Sequence, residues 1–174
     1  MEKNNLTRKL VIIAMFVAIE VVLTRFLSIH TPFARIGLGF LPIAMLGIMY
    51  GPLTAGLSYA AGDLIGATLF PTGPFFPGFT LTVFLTGIVY GSFLHKHGPR
   101  SSNLVAASIM VVAIRVGLDT LWLGILFDDS YLALMPVRLV KGLIDIPLQI
   151  VLIPLLWTVI AKTPIKTQID KSAA

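Results

Sequence analysis

The chain has 174 residues, of which 56% are hydrophobic and 12% charged, and its mean hydropathy is +0.92. This composition excludes a water-soluble domain, because soluble proteins carry a larger share of charged residues. No cysteine is present, which excludes disulfides and thiol chemistry, and in a membrane protein the net charge of +5 reports on sidedness rather than on nucleic-acid binding.

Apolar tracts recur along nearly the whole length, and most of them are long enough to cross about 30 Å of hydrocarbon as a helix. The first tract carries Glu20 and Arg25 and lacks a small-residue cleavage site, so it is expected to be a retained helix rather than a signal peptide. The sequence therefore predicts an all-α integral membrane protein, a bundle of six transmembrane helices that forms a single domain over residues 1–174. The helices are expected at about residues 10–28, 37–50, 53–70, 79–95, 104–127 and 135–161.

Two breaks rich in proline and glycine interrupt these helices. Gly51-Pro52 separates the second helix from the third, because proline lacks an amide proton and restricts the residue before it. The stretch Pro71-Thr72-Gly73-Pro74-Phe75-Phe76-Pro77-Gly78 cannot continue a helix. It is expected to form an ordered loop that presents aromatic side chains.

The distribution of lysine and arginine predicts the orientation. Basic residues precede the first helix, follow the fourth and follow the sixth, at Lys3, Arg8, Lys9, Lys96, Arg100, Lys162, Lys166 and Lys171. With six helices these places share one face, so both termini are expected in the cytoplasm. The opposite face carries Asp128 and Asp129, together with Arg25 and Arg35, which break the rule.

Several ionisable residues fall at membrane depth, where each costs about 2.5–3.5 kcal/mol and therefore usually faces the bundle interior. Those inside predicted helices are Glu20, Asp63, Arg115, Asp119 and Asp145, and those near the outer ends are Arg25, Arg35, Arg138 and Lys141. Internal neutralisation is one explanation, because Arg115 and Asp119 are spaced i,i+4, as are Lys141 and Asp145. For these four residues the sequence leaves internal pairing and ligand binding open.

The depth of the acidic residues favours a binding site. At a rise of about 1.5 Å per residue, Asp63, Asp119 and Asp145 all lie about 12–15 Å below the outer ends of their helices. The four basic residues near those ends lie above them, which predicts a pocket with acceptors below and cations above. Such a pocket suits a long ligand with donors at one end and carboxylates at the other, because arginine binds a carboxylate through two parallel hydrogen bonds.

Aromatic and small residues add two further predictions. Phe75 and Phe76 in the loop, and Trp122 one turn above Asp119, are placed to stack on a flat ring, although a belt of aromatics at the membrane interface is the structural alternative. Ala14 and Ala18 form a small-xxx-small pattern, which lets another helix approach closely in lipid. No phosphate-binding loop of the Walker type is present, so any energy from ATP must come from partners.

These features resemble the substrate-binding S components of energy-coupling factor (ECF) vitamin transporters, most closely the folate-specific ones. The resemblance is carried by Thr24-Arg25-Phe26-Leu27-Ser28-Ile29 leading to Arg35-Ile36-Gly37, by Gly62-Asp63-Leu64-Ile65-Gly66-Ala67, and above all by Phe70-Pro71-Thr72-Gly73-Pro74-Phe75-Phe76-Pro77-Gly78-Phe79-Thr80. It runs over essentially the whole chain.

The resemblance implies a non-enzymatic subunit of a prokaryotic plasma membrane that captures folate outside the cell and needs no cofactor. It would dock through Ala14 and Ala18 on a membrane-embedded coupling (T) subunit driven by two cytoplasmic ATPases, with the loops after helices 1 and 3 as gates. The pterin is expected deepest, against Asp63 or Asp145, with the glutamate tail facing the cations. The predicted ligand-binding residues are Arg25, Arg35, Asp63, Thr72, Phe75, Phe76, Trp122, Arg138, Lys141 and Asp145.

Three alternatives remain at this point. An S component for another vitamin, such as riboflavin, would keep the fold and change the ligand, whereas cationic thiamine gains nothing from a ring of arginines. A membrane-embedded lipid-modifying enzyme would use Asp63, Asp119 and Asp145 with a divalent metal, but no motif fixes their geometry. A free-standing channel or carrier would act without partner subunits.

Overall fold

Helices account for most of the chain, as the apolar tracts predict. The structure is a computed structural model that describes residues 2–30, 35–71, 73, 75–95, 98–127 and 131–162. In chain order its elements are α1 (Glu2–Arg25), β1 (Ile29–His30), β2 (Arg35–Ile36), α2 (Phe40–Tyr50), α3 (Pro52–Leu69), α4 (Pro77–Leu94), α5 (Ser101–Ile114), α6 (Thr120–Phe127) and α7 (Tyr131–Lys162). A turn of π-helix over Arg115–Asp119 joins α5 to α6, so the described residues form the six helical rods that the sequence predicts.

Three of the described helices are long and apolar enough to cross a membrane, over Pro77–Leu94, Ser101–Leu126 and Arg138–Lys162. The first three helices are not among those that are both long and apolar enough, for reasons visible in their sequences. α1 and α3 carry ionisable residues within their apolar tracts, and α2 has only 11 residues, which gives a length of about 16 Å. We conclude that these helices depend on packing against their neighbours rather than on their own hydropathy.

The distribution of side chains is that of a membrane protein, with polar groups inside and apolar groups outside. Buried polar residues include Glu20, Thr82, Thr86, Thr120 and Gln149. Large apolar side chains are exposed along the outer helix faces, among them Leu57, Ile109, Leu143, Val151 and Leu155. Hydrocarbon around the bundle therefore replaces the water that would surround a soluble protein, and the interior is free to hold polar chemistry.

The short helix α2 lies at the centre of the apolar core. Ile43, Ala44, Met45 and Leu46 are fully buried, which explains why α2 is apolar on every side. A tight hairpin then leads into α3, as the Gly51-Pro52 break predicts, and Gly51 takes a φ of +84° that favours glycine.

The structure adds three local features to the predicted elements. α1 begins at Glu2 and ends at Arg25, so it starts earlier and stops a turn sooner than expected. After it, Ile29 pairs with Ile36 and His30 with Arg35 in a short antiparallel ribbon. The third feature is the π-helical turn. Neither the alternation of polar and apolar residues nor the apolar periodicity of the sequence reveals such a turn.

Candidate ligand-binding site

The first polar cluster joins the end of α1 to α3 and α4. Arg25 NH2 lies 3.4 Å from Asp63 Oδ1 and also donates to the main-chain oxygen of Asp63 at 3.3 Å. Thr80 Oγ1 donates to Asp63 Oδ2 at 2.8 Å. The guanidinium fits against α3 because residue 66 is glycine, where a Cβ would lie 2.5 Å from Arg25 Nε. Two of the predicted ligand-binding residues, Arg25 and Asp63, are therefore in direct contact.

Glu20 lies beside this cluster and was not among the predicted ligand-binding residues. Its side chain is 2% exposed, accepts a hydrogen bond from Thr24 at 2.7 Å, and packs against Gly62 of α3. It interacts electrostatically with Asp63, Arg25 and Arg115. The signal in the sequence is a carboxylate at membrane depth on the same helix as Arg25. In the structure this carboxylate faces a glycine of a neighbouring helix.

The second polar cluster joins the π-helical turn to α7. Arg138 Nη1 lies 3.4 Å from Asp119 Oδ2, and Lys141 Nζ lies 3.3 Å from Asp145 Oδ2. Of the two i,i+4 pairs that the sequence offers, Lys141 and Asp145 form a salt bridge. Arg115 and Asp119, which both lie in the π-helical turn, form no salt bridge among the described residues, although their opposite charges attract each other.

Arg115 instead contacts α3. It donates a hydrogen bond to the Tyr59 hydroxyl, and its guanidinium lies 5.7 Å from the centre of the Tyr59 ring. Tyr59 and Asp63 are one turn apart on α3, so the two polar clusters adjoin along one face of that helix. The polar interior is consequently continuous from Arg25 to α7.

A small pocket, open on one side, lies in the second cluster. Its walls are Val112, Arg115, Val116, Arg138, Lys141, Gly142 and Asp145. Gly142 lets α7 approach α5, since a Cβ there would lie 2.6 Å from Val112 Cγ1. The predicted residues Arg138, Lys141 and Asp145 therefore share one pocket, together with Arg115, for which the sequence leaves internal pairing and ligand binding open.

Two of the predicted aromatic residues, Phe76 and Trp122, pack against each other. The rings of Phe76 and Trp122 are 5.6 Å apart, and Trp122 Nε1 donates to Thr82 Oγ1 at 3.1 Å. Gly78 makes room for the indole, because a Cβ there would lie 2.5 Å from Trp122 Cδ2. Phe75 is 49% exposed. The structure thus brings Phe76 and Trp122 together and leaves Phe75 at the surface.

The cations and acids are not separated into layers as the depth estimate predicts. Arg25, Arg138 and Lys141 each lie within 3.4 Å of an aspartate oxygen. The predicted depths place each residue along its own helix, whereas long side chains reach across the difference in height between neighbouring helices.

Two predicted site residues lie wholly or partly outside the described residues. Thr72 is one of them. For Arg35 the structure describes the main chain, which forms strand β2, but not the side chain. Both stay predictions. The predicted docking residues Ala14 and Ala18 are described, and both are exposed on α1.

Comparison with known proteins identifies the family. Residues 8–157 match the family described as "ECF transporter, substrate-specific component". This chain belongs to that family. The resemblance noted in the sequence is thereby confirmed, and membership of a family of transporter components replaces the lipid-modifying enzyme as an explanation of the buried carboxylates.

Relatives within the ECF family cover nearly the whole chain. A protein of Clostridium novyi (strain NT) named "Folate transporter FolT" is 38% identical over 172 residues, 98% of each chain. A second protein of that name, from Leuconostoc mesenteroides, is 32% identical over 83% of this chain and 81% of its own. The solved structure described as "Crystal structure of FolT bound with folic acid" matches with a TM-score of 0.82 and 33% identity, over 86% of this chain and 92% of that one.

Proposed function

We propose that this chain is the folate-capturing S component of an ECF-type importer. The observation that carries the proposal is the full-length similarity to the Clostridium novyi folate transporter, supported by the likeness to a structure that holds folic acid. The interior of the bundle supplies suitable chemistry. It offers carboxylates that accept hydrogen bonds from the pterin, cations that bind the glutamate tail, and the aromatic pair of Phe76 and Trp122.

Each of the two polar clusters offers both acids and cations to such a ligand. Asp63 or Asp145 accepts hydrogen bonds from donors on the pterin ring, and the carboxylates of the tail are bound by cations among Arg25, Arg138 and Lys141. Phe76 and Trp122 contribute flat surfaces on which an aromatic ring stacks at a gain of about 0.5–1.5 kcal/mol beyond its buried area. Burial of a dianion requires such compensating positive charge.

Delivery of the ligand requires partners. We place the chain in the cell membrane with both termini in the cytoplasm, because the basic loops share one face. A membrane-embedded coupling subunit then packs on the exposed alanines of α1, and two cytoplasmic ATPases drive the cycle. The support for this arrangement is the family membership and the exposure of Ala14 and Ala18.

Calorimetric titration of the purified chain with folic acid tests the proposal. We expect saturable binding of about one folic acid per chain, with no response to thiamine or riboflavin. Thiamine is the informative comparison, because the pocket lined by Arg115, Arg138 and Lys141 repels a cation. Binding of riboflavin in place of folic acid would contradict the choice of ligand and leave the family unchanged.

Gly142→Ala is expected to lower folic acid affinity by about tenfold, because the added methyl group pushes α7 away from Val112 and separates Lys141 from Arg115. Helix propensity alone acts in the opposite direction, since alanine stabilises a helix by up to about 1 kcal/mol relative to glycine. The measurement is a titration of the variant with folic acid.

The double variant Gly142→Ala/Val112→Ala is the matched control for this effect. It removes the group that the new methyl would meet, so affinity should return towards that of the parent. Affinity that stays low in the double variant would show that contact between α5 and α7 is not what sets the shape of the pocket.

A further inference from the structure

Two arginine nitrogens on the wall of the pocket have no partner in the part of the chain that the structure describes. These are Nε of Arg115 and Nε of Arg138, both buried. The Arg138 residue as a whole is 9% exposed. Buried donors are almost always satisfied, and two guanidinium groups that share one cavity and each keep an unused N–H are suited to bind a common acceptor.

The unused donors set the number of acceptors. Arg138 and Lys141 are each paired with an aspartate, and one N–H is left on Nε of Arg115 and one on Nε of Arg138. A single carboxylate has two oxygens, so it can accept from both. The cluster is therefore matched to one carboxylate.

Arg115 makes no salt bridge among the described residues. Arg138 and Lys141 are each paired with an aspartate, but Arg115 is held by the neutral hydroxyl of Tyr59 and by the face of its ring. Tyr59 is 5% exposed and fixed within the core, so it orients the guanidinium. This combination gives an oriented arginine whose Nε–H is available to a ligand.

We infer that Arg115 and Arg138 form a subsite for one of the two tail carboxylates, with Arg115 as a specificity-determining residue and Tyr59 as its positioning residue. The inference rests on the proposed function and refines it. The other carboxylate of the ligand lies outside this pocket. The two carboxylates of the glutamate tail are consequently bound by different residues.

The test is a titration of the parent chain, Arg115→Gln and Arg115→Lys with folic acid and with its two monoamides, in which one carboxylate or the other is replaced by a neutral amide. Arg100→Gln, an exposed arginine ahead of α5, serves as the matched control and should bind all three ligands like the parent. For folic acid we expect Arg115→Gln to lose affinity by roughly 10- to 150-fold, the range for one hydrogen bond to a charged group. The folic acid affinity of Arg115→Lys should lie between those of the parent and Arg115→Gln, because lysine keeps the charge and loses the planar fork.

The monoamides identify which contact is lost. One monoamide should bind the parent chain more weakly than folic acid does, and its affinity should not fall further in Arg115→Gln. The other monoamide should lose affinity in Arg115→Gln by the full factor expected for folic acid. Equal losses for both monoamides, or undiminished folic acid binding by Arg115→Gln, would overturn the inference alone. If Arg115→Gln fails to fold, the same comparison is made between Arg115→Lys and the parent. A parent chain that does not bind folic acid would overturn the proposed function, and this inference with it.

Discussion

Arg25→Ala is expected to weaken folic acid binding by roughly 10- to 150-fold, and to weaken the binding of a pterin without a glutamate tail much less. Arg25 lies at the end of α1 in contact with Asp63, so its charge is held at the junction of α1, α3 and α4. Removing it takes a positive charge from the tail carboxylates, whereas a pterin without a tail is affected only through the loss of the ion pair with Asp63. Calorimetry with both ligands measures the difference.

The same substitution also leaves Asp63 without its ion-pair partner, and this effect on stability must be separated from the effect on binding. The side chains of Arg25 and Asp63 are 8% and 18% exposed, so the loss approaches the lower end of the about 3–5 kcal/mol typical of a broken buried pair. The double variant Arg25→Ala/Asp63→Asn should regain most of this stability in denaturant unfolding. It should not regain folic acid affinity, and recovery of both together would mean that Arg25 has only a structural role.

Ala14→Leu/Ala18→Leu is expected to abolish folate uptake by cells that also produce the coupling and ATPase subunits, while folic acid binding to the purified chain stays within about twofold of the parent. Leucine adds bulk at the two positions where a partner helix must approach closely. Both alanines are exposed one turn apart on α1, whereas Glu20 on the same helix is buried. Uptake of labelled folate and calorimetry are the two measurements.

Ala106→Leu is the matched control for the docking prediction. Ala106 is an exposed alanine on α5, so the substitution adds the same bulk to a different outer face. We expect normal uptake from this variant. Normal uptake from Ala14→Leu/Ala18→Leu would place the coupling subunit on another surface of the bundle.

The architecture follows from local sequence signals. Long apolar tracts and two proline-glycine breaks are enough to predict six helices, because a span in lipid must satisfy its own backbone hydrogen bonds. Helix ends are less predictable. α1 stops at Arg25, whose side chain contacts α3, and that contact is tertiary rather than local.

The sequence predicts which residues form the candidate site better than it predicts how they are arranged. Depth and charge identify Arg25, Asp63, Arg138 and Lys141 as interior groups, and all four have their side chains in the two polar clusters. The partner of each group depends on which helices are neighbours and on how each is rotated. The i,i+4 spacing of Arg115 and Asp119 permits a salt bridge, but in the structure Arg115 contacts Tyr59 on α3 and Asp119 pairs with Arg138 on α7.

The ion pairs of the interior have a consequence for the empty subunit. A bundle that presented bare arginines to an incoming anion would have to hold strong positive charge inside a low-dielectric membrane between one ligand and the next. Here Asp63, Asp119 and Asp145 act as resident counter-ions, so most of that electrostatic cost is met within the protein itself. The empty subunit can therefore remain embedded in the bilayer with little unpaired positive charge in its interior.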